Sequence, residues 1–370
     1  MRLLIAPDSF KGSLTSVEVA GALSTGWLRA RPDDEVALAP LADGGEGTLV
    51  AVEASGGWAW READARDPLG RAIRARWLAR DDGGAAFVEM ATASGLSLVA
   101  ANERDAAGAT SRGTGDVLRA VLDAGIREIA LGIGGSATTD GGAGLLRALG
   151  ATVSEDLTMV DLGGLDPRLA ETRLRIACDV TNPLLGERGA AATYGPQKGA
   201  TPGDVPVLDR RLAGFADALE RATGRLERES PGAGAAGGVG FGLLCLADRF
   251  AELRLEPGID LVMDEAGFDV KLSLADLVLT GEGRIDEQTA YGKTALGVAR
   301  RARDAGKRCI AVGGGVTPEG IDALALVGAV AVPVTERPQS VEEAMAAGVA
   351  PLERCGERLA RLVTLGEHAR

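Results

Sequence analysis

The feature that most constrains this chain is a strand–turn–helix rhythm written at both ends and interrupted in between. Residues 3–6 are a short apolar run cut off by Pro7, as expected of a buried strand. Thr15-Ser16-Val17-Glu18 then has the spacing of a capping box, and Val19, Leu23 and Trp27 follow at helical intervals as far as Pro32. Residues 35–39 predict a second short strand. At the far end, residues 276–279 are apolar and bounded by Thr280-Gly281. A polar loop leads from there to a predicted helix from about Thr294 to Ala305, closed by Gly306. Strands are predicted at 308–312 and 329–334, followed by helical sequence to the end. Such alternation implies α/β layers around a mostly parallel sheet.

The middle is different. Predicted strands at 86–90, 128–133 and 174–178 are separated by longer and more varied segments, with helices at 116–124 and 205–223. A length of 370 residues suits roughly two or three domains. The expectation is an α/β protein in which residues 1–65 and 280–370 build one discontinuous doubly wound domain. Residues 66–279 would form an inserted α/β domain.

Composition removes several classes of function. His368 is the only histidine, which excludes Ser-His-Asp triads, Cys-His dyads and His-based zinc sites. The net charge of −13 argues against nucleic acid or an anionic membrane as partner, since both need a basic surface. The opening residues do not read as a signal peptide, and the longest apolar stretch, near 323–334, falls well short of the ~20 residues of a spanning helix. Cys178, Cys245, Cys309 and Cys355 show no Cys-x-x-Cys spacing and read as reduced thiols. A cytoplasmic protein acting on small molecules is expected.

The 53 glycines are about twice the usual share, and they cluster. The clusters are Leu41-Ala42-Asp43-Gly44-Gly45-Glu46-Gly47-Thr48, residues 132–142, residues 232–242, and Gly281-Glu282-Gly283-Arg284-Ile285-Asp286. Several follow strands, where open α/β sheets place ligands, and consecutive amides in such turns make anion-binding nests. Lys11-Gly12, Lys198-Gly199 and Gly292-Lys293 set compact ammonium groups in glycine-bearing loops of a chain that otherwise favours arginine. Asp43, Glu46 and Asp140 also read as loop acids or helix caps, and Asp179 as part of a strand-end turn.

Three familiar fingerprints fail. Gly132-x-Gly134-x-x-Ala137 follows a strand, but Gly141 and Gly142 delay the helix that a dinucleotide motif requires. Gly232-x-Gly234-x-x-Gly237 is preceded by the charged residues 225–229 instead of a strand. Gly292-Lys293-Thr294 ends like a P-loop, yet Glu287 stands where its first glycine belongs. What remains is a phosphoryl-transfer site of another design, with amide and cationic donors, carboxylates for a metal, and an acid to orient a hydroxyl.

At this point the chain resembles a known family. Ala6-Pro7-Asp8-Ser9-Phe10-Lys11-Gly12-Ser13-Leu14, the 42–48 motif, Thr110-Ser111-Arg112-Gly113-Thr114-Gly115 and residues 132–144 are similar to motifs of the two-domain bacterial glycerate kinases. So are Cys178-Asp179-Val180-Thr181-Asn182-Pro183-Leu184, Gly195-Pro196-Gln197-Lys198-Gly199-Ala200, residues 232–238 and Thr280-Gly281-Glu282-Gly283-Arg284-Ile285-Asp286. The match runs in order from residue 1 to about 300. It implies ATP, Mg²⁺ and D-glycerate as ligands, with phosphorylation at the 2-hydroxyl. It also implies a flavodoxin-like domain from both chain ends and a second domain of restriction-enzyme-like topology. Departures are a short segment at 151–164 and Gly313-Gly314-Gly315-Val316, which lacks an expected hydroxyl.

Residue type and loop position then assign roles. Lys11, Arg284 and Lys198 hold the glycerate carboxylate and the transferring phosphate. Asp43 or Asp179 orients the hydroxyl. Gly134, Gly135, Ser136, Gly283 and Lys293 bind nucleotide phosphates, and Glu46 and Asp286 lie near Mg²⁺. The alternatives are transfer to the 3-hydroxyl, or a nicotinamide-dependent oxidoreductase using residues 132–137 with Glu155 or Asp156 on the ribose. The oligomeric state is not legible.

Overall fold

A computed structural model of the chain describes residues 1–287 and 294–368. Its strands are, in order, β1 (Arg2–Pro7), β2 (Glu35–Leu38), β3 (Trp58–Arg66), β4 (Ala72–Arg80), β5 (Ala85–Glu89), β6 (Glu128–Gly132), β7 (Thr152–Val153), β8 (Val160–Asp161), β9 (Arg173–Ala177), β10 (Glu252–Glu256), β11 (Leu277–Ile285), β12 (Arg308–Val316) and β13 (Ala329–Pro333). The chain divides into two compact units. One comprises Met1–Asp43, Val50–Gly56 and Val262–Arg370, and the other Gly44–Leu49 and Gly57–Leu261. These depart at their edges from the ranges 1–65 plus 280–370 and 66–279. β3 pairs with β4 along its whole length and so belongs to the second unit. Lys271 donates to the carbonyls of Leu38 and Ser55, which ties its helix Phe268–Leu274 to the first.

The first unit holds a five-stranded sheet in the order β13-β12-β11-β1-β2, parallel throughout. Numbered within the unit this is 2-1-3-4-5, the flavodoxin-like order, with its switch point between β1 and β11. The helix Ser16–Ala30 starts at the predicted capping box, in which Thr15 accepts from the Glu18 amide and the Glu18 carboxylate accepts from the Thr15 amide. It buries Val19, Leu23 and Trp27 completely. It crosses the helix Ala350–His368 so closely that a Cβ on Gly26 would fall 1.8 Å from the Glu353 carbonyl oxygen.

β11 does not stop at residue 279 as the sequence suggests. Glu282 pairs with Gly313, Arg284 with Gly315 and Ile285 with Val316, so both strands continue through their glycines. Those glycines let the backbones approach: a Cβ on Gly314 would lie 2.6 Å from the Gly283 carbonyl oxygen.

The second unit holds a six-stranded sheet in the order β10-β9-β6-β5-β4-β3. β5, β6, β9 and β10 run parallel, while β3 and β4 form an antiparallel hairpin. The helix Val205–Thr223 falls where its periodicity predicts, and its Phe215 meets Phe241 edge-on at 6.2 Å between centroids. The helix predicted from Asp116 starts earlier, at Arg112. All four cysteines are free thiols. Among the described residues, no helix is long and apolar enough to cross a membrane.

Candidate active site

In the first unit, the predicted residues lie at or beyond the carboxyl ends of β1, β2 and β11, the edge where open parallel sheets bind ligands. Reciprocal backbone bonds between Phe10 and Leu14 close the turn that carries Lys11. The Lys11 side chain is 85% exposed, with its Nζ 3.9 Å from Asp43. Arg284 is 72% exposed and reaches Asp286 at 3.1 Å. Ion pairs this solvated contribute little to stability. Gly283 backs onto the same turn, since its Cβ would lie 3.3 Å from the Phe10 Cα. Lys11 and Asp43 thus come together, as do Arg284 and Asp286. Lys293 lies outside the described residues.

Asp8 belongs to this group, although the sequence reading gave it no role. Its carboxylate accepts from the Ser9 amide and from the Thr294 hydroxyl, each at 2.6 Å. Thr294 is the first residue of the helix after β11. Burial pushes the Asp8 carboxyl above its ordinary range, the Thr294 hydroxyl opposes the shift, and repulsion from Asp43 adds to it. The available signal was an acid placed directly after a buried strand.

In the second unit the predicted residues sit at the carboxyl ends of β6 and β9 and in the loops nearby. Gly134, Gly135 and Ser136 form the turn after β6. Lys198 lies beneath that turn, 1% exposed. Its ammonium donates to the Ser136 hydroxyl at 2.9 Å and to the Thr138 carbonyl at 2.6 Å. Burial lowers its pKa to about 7, with the charge of Asp140 opposing. Asp140 itself accepts from the amides of Ser111, Gly142 and Gly144 and from the Ser111 hydroxyl. These bonds fix the turn that leads into the helix Ala143–Ala148, whose N-cap position is Gly142, and reach the Gly144 amide in its first turn.

Asp179 follows β9 and accepts from the Gly258 amide at 2.9 Å. Glu46 is exposed in the segment Gly44–Leu49. Glu89, a second group the sequence reading passed over, ends β5 and accepts from the amides of Gly47 and Leu49. The dinucleotide alternative lacks its helix start, because the helix after β6 begins only at Ala143. Asp156 is occupied in closing the β7–β8 turn through Ser154 and Thr158.

The arrangement offers amides and cations for anions, and carboxylates for a hydroxyl or a hard cation, without histidine or reactive thiolate. Known proteins agree with that chemistry. The sequence matches the glycerate kinase family over residues 3–364. It is 42% identical over 367 residues to the glycerate kinase of Bacillus subtilis (strain 168), covering 93% of this chain and 95% of that one. It is 42% identical over 345 residues to an Escherichia coli (strain K12) protein named glycerate 2-kinase, covering 88% and 90%. A crystal structure described as glycerate kinase 2 from Salmonella typhimurium LT2 matches with a TM-score of 0.86 at 39% identity, covering 100% of this chain and 99% of that one. A family match along almost the whole sequence, with a fold to accompany it, makes this chain a kinase belonging to the glycerate kinase family.

Proposed function

We propose that this chain transfers the γ-phosphoryl group of ATP to the 2-hydroxyl of D-glycerate, giving 2-phosphoglycerate and ADP. The observation that carries the reading is 42% identity, across 88% of the chain, to a protein named glycerate 2-kinase. Membership of a kinase family implies ATP as the donor.

The geometry within each unit supports the following roles. In the first, Lys11 and Arg284 hold the glycerate carboxylate and the transferring phosphate, the arginine fork suiting a carboxylate. Asp43 beside Lys11 orients the hydroxyl and takes its proton as the oxygen attacks phosphorus. Gly283 and Lys293 add contacts to nucleotide phosphates. In the second, the Gly135 amide and the Ser136 hydroxyl receive nucleotide phosphates, beside Gly134, whose own amide donates to the Gly44 carbonyl. Lys198 acts by fixing Ser136 and Thr138. Asp179 is the other acid suited to a hydroxyl.

Among the described residues, no three carboxylate, thiol or imidazole groups converge as a metal site. Mg²⁺ needs no such cage, because it keeps waters and substrate phosphates around one or two carboxylates. Asp286 in the first unit and Glu46 in the second are hard oxygen donors that fit this demand. Bound Mg²⁺ would neutralise charge developing on the phosphate oxygens. Free cysteines and the absence of a spanning helix among the described residues are compatible with a cytoplasmic setting.

Phosphorus NMR of a mixture of protein, ATP, Mg²⁺ and D-glycerate tests the proposal. The 2-phosphoglycerate resonance is expected. A 3-phosphoglycerate signal would move the site of transfer, and ADP release that ignores glycerate would end the proposal.

A further inference from the structure

We infer that Glu89 is a positioning residue for phosphoryl transfer: its carboxylate clamps the Gly44–Leu49 segment, which carries Glu46, against the turn after β6. The inference rests on the role proposed above for Glu46. Glu89 is the last residue of β5, in register with Gly132 of β6, and only 4% exposed. One carboxylate oxygen accepts from the Gly47 amide and the other from the Leu49 amide, both at 3.1 Å. A carboxylate is acceptor-only with two oxygens, so it can span two donors that a single carbonyl or hydroxyl could not.

The opposite side of the segment is held by backbone. Gly134 donates to the Gly44 carbonyl at 3.4 Å. A Cβ on Gly134 would lie 2.6 Å from the Gly45 Cα, and one on Gly132 would lie 2.5 Å from the Gly44 oxygen. Thr48 completes the turn by donating its hydroxyl to the Gly45 carbonyl at 2.7 Å. Glu46 and Gly47 are therefore the exposed part of an arch anchored on both flanks. The arrangement carries a cost. Burial raises the Glu89 carboxyl to about 7 against the pull of the Leu49 and Gly47 amides. An apolar residue would avoid that cost but could not hold the arch.

The test compares full-length wild type with Glu89→Gln and Glu89→Asp. Glutamine keeps the shape but turns an amino group toward one of the two amide donors. In Glu89→Gln, kcat is expected to fall about a hundredfold, the scale of a misplacement of about 1 Å. KM for ATP and for D-glycerate should stay within about threefold, the pattern of an interaction felt only in the transition state. The thermal transition should persist. Glu89→Asp keeps the charge one methylene short and should recover part of kcat.

Amide hydrogen exchange reads the same clamp without turnover. Gly47 and Leu49 should exchange more slowly than Glu46 in wild type, and about tenfold faster in Glu89→Gln than in wild type. If wild type shows no glycerate-dependent ADP release, the proposed reaction fails while exchange still reports on the clamp. Unchanged exchange at both amides, or wild-type kcat in Glu89→Gln, overturns the inference. A loss of kcat that only parallels a lost thermal transition in both variants overturns it too, making Glu89 structural.

Discussion

The two units use the same residue types in opposite settings. In the first, the cations at the sheet edge stand in water, with Lys11 85% and Arg284 72% exposed. In the second, Lys198 is 1% exposed and held by a hydroxyl and a carbonyl, and Asp140 and Glu89 are buried among amides. A solvated charge costs the fold little and contributes little to it, so it can turn toward an anion when one arrives. A buried charge is costly to place and costly to disturb, so it fixes whatever backbone it touches. The lesson is that a lysine in a glycine-rich loop can be a hand or a strut, and only its depth decides which.

The harshest way to break the comparison is Asp140→Ala. It strips the acceptor from four buried donors, and roughly 3–5 kcal/mol of stability should be lost in a urea titration. A loss below about 1 kcal/mol would show that the second unit does not depend on its buried acids. Next comes Lys11→Met, expected to lower turnover about a hundredfold, equivalent to about 2.7 kcal/mol of barrier, with the urea midpoint unchanged. Near wild-type turnover would remove Lys11 from the reaction.

Lys198→Met sharpens the contrast through pH. Lysine ordinarily titrates at 10.5, and burial brings Lys198 to about 7. The stability linked to this lowered value is fully present above the ordinary value and lost as pH falls through about 7. Wild type should therefore gain on the variant by up to about 2 kcal/mol between pH 7 and about 8.5. Parallel stability curves would mean that the ammonium is solvated. The smallest effect is expected at Thr294→Val, which removes a buried hydroxyl bond to Asp8 and should cost about 1 kcal/mol. It should also raise the Asp8 carboxyl further, because that hydroxyl is the main influence lowering it.

Much of the fold was legible because its signals are local. Thr15 and Glu18 announce a helix start, and Leu208, Leu212, Phe215 and Leu219 repeat at a helical period. The β3–β4 hairpin was not legible. Its buried face combines Trp77 with Ala63, Ala65, Ala75 and Ala79, and the alanines give little hydrophobic contrast against the arginines and acids between them. The extension of β11 was hidden because a glycine run reads as a turn, and only its pairing with β12 shows it to be strand.

At the site, loop membership could be read but depth could not. Lys198 reads as one more loop cation, although its ammonium is buried under Ser136 and Thr138. Asp8 and Glu89 carry no sequence signal of what they bind. Their partners lie 286 and 40 to 42 positions away in sequence, beyond the reach of any local pattern.

The first sheet also has a consequence for how the chain is made. β1 lies between β2 and β11, so its second neighbour is encoded near the other end of the message. At about 5–20 residues per second, the roughly 240 residues between β2 and β11 take on the order of 12 to 48 s to emerge from the ribosome. Throughout that interval Leu4, Ile5 and Trp27 wait without their final cover, while the second unit's strands are delivered whole. A pause in translation after residue 261 would prolong the time in which the nascent chain can be captured by chaperones.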